Sequence, residues 1–126
     1  MKDVLISLIL SVIMIFTISS SIKYLNTVSQ NLSELNDEIE QNINDENWEE
    51  AYKITIEYTE KWQSYSKKIK LFLDHQEIDN IETELWQLPQ YIKEKSKDEA
   101  LASVYVLKYL LNHIADIEKI KIENIF

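Results

Sequence analysis

Residues 4–22 read Val4-Leu5-Ile6-Ser7-Leu8-Ile9-Leu10-Ser11-Val12-Ile13-Met14-Ile15-Phe16-Thr17-Ile18-Ser19-Ser20-Ser21-Ile22, and this run decides the architecture. It holds no charged side chain, and 13 of its 19 positions are Val, Leu, Ile, Met or Phe. At about 1.5 Å of rise per residue, a helix of that length reaches roughly 28 Å, close to the ~30 Å of a bilayer's hydrocarbon core. Three readings compete. A spanning helix needs about 17–25 mostly apolar residues, which the run satisfies. A cleaved signal peptide has a shorter apolar region and small residues at its exit, a role open to Ser19, Ser20 and Ser21. A buried core helix is the poorest of the three, because a body this small cannot cover a helix that is apolar all round.

The spanning reading divides the chain into an anchor, residues 1–23, and a body, residues 24–126. Lys2 flanks the span on one side and Lys23 on the other, so charge says little about orientation. A flank of three residues is more easily left in the cytoplasm than translocated. The expectation is a single-pass protein of the cell membrane, N-terminus inside and body outside. The hydroxyls of the span are tolerable in lipid because each can bond to a carbonyl one turn back. Ser7 and Ser11 share a face with Met14 and Ile18, which is open to contact with a second membrane helix.

Beyond the span, composition favours helices. The chain has no Gly and no Cys, and Pro89 is its single proline. Tight turns and sheets lean on Gly and Pro, so their near absence argues for long helices and short polar connections. Missing Cys removes disulfides, thiolate ligands, thiol catalysis and a lipidated cysteine. All 13 basic residues are Lys, so no guanidinium is present to clamp a phosphate or carboxylate. The net charge of −9 is expected to repel nucleic acid and anionic lipid headgroups.

Apolar residues in the body recur every three or four positions. Leu25, Val28, Leu32, Leu35 and Ile39 form one heptad seam, so the membrane helix is predicted to run on as a single rod to near Ile43. A polar break follows, with Asn44 or Asp45 as the expected N-cap of the next helix. That helix carries Trp48, Ala51, Thr55, Tyr58, Trp62, Tyr65, Ile69 and Phe72 in one seam. The aromatics are read as core, or else as a groove for a partner helix or apolar ligand. Asp74 to Glu77 and Ser96 to Glu99 each have the pattern of a capping box. The third helix is predicted through Ile78, Ile81, Leu85, Leu88 and Ile92, bent or ended by Pro89. The fourth buries Ala100, Val104, Leu107, Leu111 and Ile114. Ile120, Ile122, Ile125 and Phe126 make a tail that frays or docks elsewhere. The fold class is therefore all-α: an N-terminal transmembrane helix, then an antiparallel up-and-down bundle of three to four helices. The seam of Leu25 to Ile39 either packs on the body or pairs with its copy in a second chain.

Chemistry is sparse. His75 and His113 are the only groups with ordinary pKa values near neutrality. A hairpin of the third and fourth helices would bring His75 and Asp79 towards His113 and Asp116, a set able to bind a divalent metal such as zinc. The plainer reading pairs each histidine with a nearby acid. Di-metal bundles need Glu three residues before His, and Phe72 and Leu110 stand there instead. No Gly means no phosphate-cradling loop and no nucleophile elbow. No catalytic residue, cofactor site or enzyme class emerges.

An apolar N-terminal segment ahead of Trp48 in an Asn-Trp-Glu-Glu-Ala helix start, then Trp62, His75-Gln-Glu-Ile-Asp79 and Leu107-Lys-Tyr-Leu-Leu-Asn-His-Ile114, resembles a bacterial family known as domain of unknown function 4363. The resemblance covers nearly the whole chain, through soft helical patterns with a few fixed aromatics. It implies a small extracytoplasmic helical protein on one anchor, found mainly in spore-forming Gram-positive organisms. It implies no activity and no site residues. The expected role is a membrane-anchored interaction module, an accessory or scaffold protein. Lipid would be held through residues 4–22, and the partner would be a membrane protein or a second copy, not nucleic acid. The alternative is a small-ligand or metal sensor using the two histidines.

Overall fold

The computed structural model describes residues 1–125, with the side chains of all but Glu118, Lys121, Ile122 and Ile125. Four α-helices follow one another: α1 (Lys2–Asn44), α2 (Trp48–Ile69), α3 (His75–Lys93) and α4 (Lys97–Ile125). No strand occurs among the described residues. Each helix packs on the next, and α4 returns to α1, so the helices close an antiparallel ring. The apolar N-terminal helix does run on as one rod, and its C-terminal half supplies the fourth wall of the bundle. The body folds back on the seam of Leu25 to Ile39, which is thereby buried within the chain.

The core is the set of heptad seams. Leu25, Val28, Leu32 and Ile39 of α1 lose all solvent exposure, as do Tyr58 of α2, Ile81 and Leu88 of α3, and Leu107 and Leu111 of α4. Tyr58 and Trp62 are the largest side chains in this interior, so the aromatic seam of α2 is core at its centre. Towards its ends Trp48, Tyr52 and Tyr65 stay half-buried and pack against the core from its rim. Phe72 falls outside the helix, because α2 stops at Ile69.

A second column in α1 carries polar residues. Ser29, Asn36 and Ile43 are seven apart and all buried. Ser29 Oγ donates to the Leu111 carbonyl at 3.3 Å, and Asn36 Nδ2 donates to the Val104 carbonyl at 3.0 Å. Seven residues onward in α1 thus correspond to seven residues back in α4, which sets the register of that antiparallel pair.

The turns at the end of the bundle far from the N-terminal apolar segment share one design. After α1, Glu46 N–H bonds to the Ile43 carbonyl at 3.0 Å and Asn47 N–H to the Asn42 carbonyl at 2.8 Å. After α3, Lys95 N–H bonds to Ile92 at 3.0 Å and Ser96 N–H to Tyr91 at 2.9 Å. Both are Schellman turns, which need a left-handed residue just past the helix and usually take Gly. With no Gly in the chain, Glu46 (φ 58°) and Lys95 (φ 56°) take that conformation instead. This corrects the expected cap of α2. Residues 44–46 are consumed in ending α1, so the N-cap is Asn47, whose side chain makes no capping bond.

Asp74 does sit at the N-cap of α3 with extended backbone, but the expected capping box is not formed. The Glu77 N–H goes to the Asp74 backbone carbonyl at 3.2 Å, and the Glu77 side chain turns to α4. Pro89 lies inside α3, which continues past it to Lys93. Its missing N–H leaves the Leu85 carbonyl without its bond from four residues on, and the helix runs through regardless. The backbone of α4 is helical to Ile125; the expectations for the side chains of Ile122 and Ile125 and for Phe126 lie outside the described residues.

Candidate anchor, histidine pair and interhelical groove

The N-terminal half of α1 has nothing packed on it. From Val4 to Phe16 every Val, Leu, Ile, Met and Phe is 45–73 % exposed. The first half-buried residues are Ile18, Ser21 and Ile22, and the first buried one is Leu25. A best window of 18 residues has mean hydropathy 2.4 and no burial, so this helix is long and apolar enough to cross a membrane. A secretory signal near an N-terminus meets the same measure of length and composition. Three hydroxyls are satisfied internally. Ser11 donates to the Ser7 carbonyl at 2.9 Å, Thr17 to Ile13 at 2.9 Å and Ser21 to Thr17 at 3.0 Å. An apolar solvent would therefore meet these three hydroxyls already paired.

The α3–α4 hairpin brings one histidine to an acid, and the acid is not Asp79. His113 Nε2 lies 3.7 Å from Glu77 Oε1, and the Tyr109 ring stacks on His113 with centroids 5.7 Å apart at 12°. Helical periodicity explains the partner. Glu77, Ile81, Glu84 and Leu88 follow one stripe towards α4, and Glu84 accepts a 2.8 Å bond from Ser103. His75 and Asp79 lie on the opposite, exposed stripe with Glu82 and Trp86. Asp116 is also exposed. Among the described residues no group of three or more His, Cys, Asp or Glu side chains is placed to hold a metal ion. The candidate set His75, Asp79, His113 and Asp116 is thus not gathered, and Glu77 was the residue missed. Its signal was the spacing of seven from Glu84 beside the apolar seam.

A shallow apolar groove runs between α2 and α3, lined by Ile56, Thr59, Leu85, Trp86 and Pro89 among others. Trp86 stands on its rim, 85 % exposed. Sequence reasoning placed the possible groove in the α2 aromatics and passed over Trp86, which sits one position outside the α3 seam. On the outer side of α4, Tyr105 and Tyr109 are also exposed. Exposed aromatics of this kind are what protein interfaces enrich.

A helical bundle carried on an exposed apolar helix is the class of protein that these features define. The chain belongs to the family described as Domain of unknown function (DUF4363), whose model matches residues 19–125. The matched part begins at Ser19 and takes in the whole bundle. Comparison with curated proteins and with solved structures gave no match.

Proposed function

We propose that the protein is a single-pass membrane protein whose bundle stands outside the cytoplasm and binds another protein, as an accessory or scaffold component. The observation that carries this reading is the bare apolar half of α1, continuous with a bundle that already satisfies its own core. Roughly 20 Å of unpaired apolar helix in water would drive aggregation, and lipid removes that cost. The interaction role rests on the α2–α3 groove and on Trp86, which at 85 % exposure buries little of its ring within the fold. Metal sensing through the two histidines has no gathered ligand set behind it among the described residues.

The test has two parts. Full-length protein in native membranes should resist alkaline carbonate extraction, retain its N-terminal residues on sequencing, and lose its bundle to protease added to intact cells. Recovery of unprocessed chain in the soluble fraction would overturn the anchor, and protection from external protease would reverse the orientation. A photocrosslinking side chain at Trp86 should then give a discrete adduct, with a membrane protein or with a second copy. Finding only unmodified monomer in native membranes would overturn the interaction role.

A further inference from the structure

Acids and lysines occur at both ends of the bundle, but one group of lysines gathers on a single turn. At the far end Asp45, Glu46, Glu49 and Glu50 around the α1–α2 turn face Lys93, Lys95 and Lys97 around the α3–α4 turn, and Lys97 reaches Glu46 at 3.8 Å. The lysine group lies at the anchor end. Residues 67–73 read Lys-Lys-Ile-Lys-Leu-Phe-Leu and form the end of α2 and the α2–α3 turn. Lys67, Lys68 and Lys70 are exposed, and Lys23 of α1 joins them. Exposed Asp74, Asp79 and Asp116 and half-buried Glu77 are the acids near this end, and Lys70 also reaches Glu82 at 3.9 Å.

The position of that turn along α1 is fixed by contacts. Tyr24 OH reaches the Tyr65 carbonyl at 3.5 Å, the two rings meet edge-on at 6.3 Å, and Lys68 Nζ lies 5.0 Å from the Tyr24 ring centroid. Tyr24 lies eight residues after Phe16, the last residue of the exposed apolar run, and the chain leaves α2 at Ile69, just beyond Lys68. In the turn that follows, Leu71 is 82 % exposed, while Ile69 and Leu73 on either side are buried. The register of α4 on α1 brings exposed Lys119 and Ile120 to the same end. An exposed leucine collared by lysines, at the height where an apolar helix leaves the protein, has the chemistry of a headgroup-layer contact. The apolar tip enters, and long ammonium stems lie along it to reach phosphates.

We propose that this end of the bundle docks on an anionic bilayer surface, with Leu71 in the headgroup layer and Lys23, Lys67, Lys68 and Lys70 against lipid phosphates. The inference rests on the anchor reading above. Docking makes the bundle sit on the membrane instead of standing clear of it, and makes its seating depend on lipid charge.

Because the chain has no Cys, single labels can be introduced by substitution. Full-length protein is reconstituted in nanodiscs of phosphatidylcholine alone or mixed with phosphatidylglycerol. A fluorophore is attached at Gln76→Cys beside the turn, at Lys95→Cys at the far end, or at Leu10→Cys in the anchor. A nitroxide on the lipid headgroup should quench the label at 76 several-fold more than the label at 95, and more strongly with phosphatidylglycerol. Leu71→Glu, and separately a triple change of Lys67, Lys68 and Lys70 to Gln, should lower the quenching at 76 and abolish its dependence on phosphatidylglycerol while circular dichroism stays helical. Equal quenching at 76 and 95, or quenching at 76 unmoved by both variants, would overturn docking. If the label at 10 is shielded from aqueous iodide in that case, the anchor reading survives. If the label at 10 is open to iodide, the anchor fails and docking fails with it.

Discussion

Asn36 stands where the α1 seams would otherwise carry an aliphatic side chain. It is 1 % exposed, and only its amide nitrogen finds a protein partner, the Val104 carbonyl. A lone buried amide in a helical interface costs stability and selects one register. Asn36→Leu is therefore expected to raise the thermal midpoint while loosening the α1–α4 alignment, seen as broadened amide resonances along α4. Tyr58 makes a complementary case. Burial pushes its phenol pKa up, and its hydroxyl has no protein partner. The folded state thus holds this proton more tightly than the unfolded chain, whose tyrosines titrate near pH 10. The stability so contributed is full below about pH 10 and is lost as pH rises through and beyond that value. Tyr58→Phe should leave neutral-pH stability within about 1 kcal/mol and weaken the alkaline loss, whereas Trp62→Ala should cost about 3–5 kcal/mol by leaving a cavity. Denaturant titrations at neutral and alkaline pH check both.

At the scale of the element, the two Schellman turns identify where the chain carries strain. A non-Gly residue in the left-handed region costs about 1–2 kcal/mol. Glu46 and Lys95 both occupy it, at the same end of the bundle. Lys97 ties the pair together: its Nζ reaches the Asn44 carbonyl at 3.1 Å and Glu46 at 3.8 Å. Lys95→Gly should stabilise by up to about 1 kcal/mol, less than the full relief because Gly is freer in the unfolded chain. Glu46→Gly should gain less, since it also discards the Lys97 contact. Pro89→Ala restores a backbone donor to α3 and should raise its midpoint, with hydrogen exchange slowed near Leu85. Helix positions were legible in the sequence because the apolar spacing of each seam admits one buried face. Helix ends were not. The left-handed turns carry none of the usual Gly marking, so Asn44 and Asp45 looked like the start of α2 when they close α1.

For the molecule as a whole, the seams announced a bundle, but the identity of the fourth wall was a tertiary question. Leu25 to Ile39 offers the same stripe to its own body as to another chain, and only packing decides. The polar column of Ser29 and Asn36 reads as solvent-facing until α4 covers it. The four candidate residues are not gathered for a related reason: a hairpin brings two helix ends together, but the stripe facing α4 belongs to Glu77. Full-length protein in detergent should accordingly show no change in midpoint when zinc is added, with or without His75→Ala; a shift of several degrees lost in that variant would restore the metal reading. The basic turn was visible as a string of lysines, yet its meaning depends on lying beside Tyr24 instead of at the opposite pole.

The unbroken course of α1 from Lys2 to Asn44 has a mechanical consequence. A helix without Gly or Pro twists and bends little, so the azimuth of the segment around Ser7 and Ser11 dictates the compass direction in which the Trp86 groove looks. Two copies meeting through their Ser7–Ser11 faces would hold those grooves at a constant mutual angle. Two alanines inserted after Ile22 would swivel each groove by about 200°, since every helical residue turns the shaft by roughly 100°.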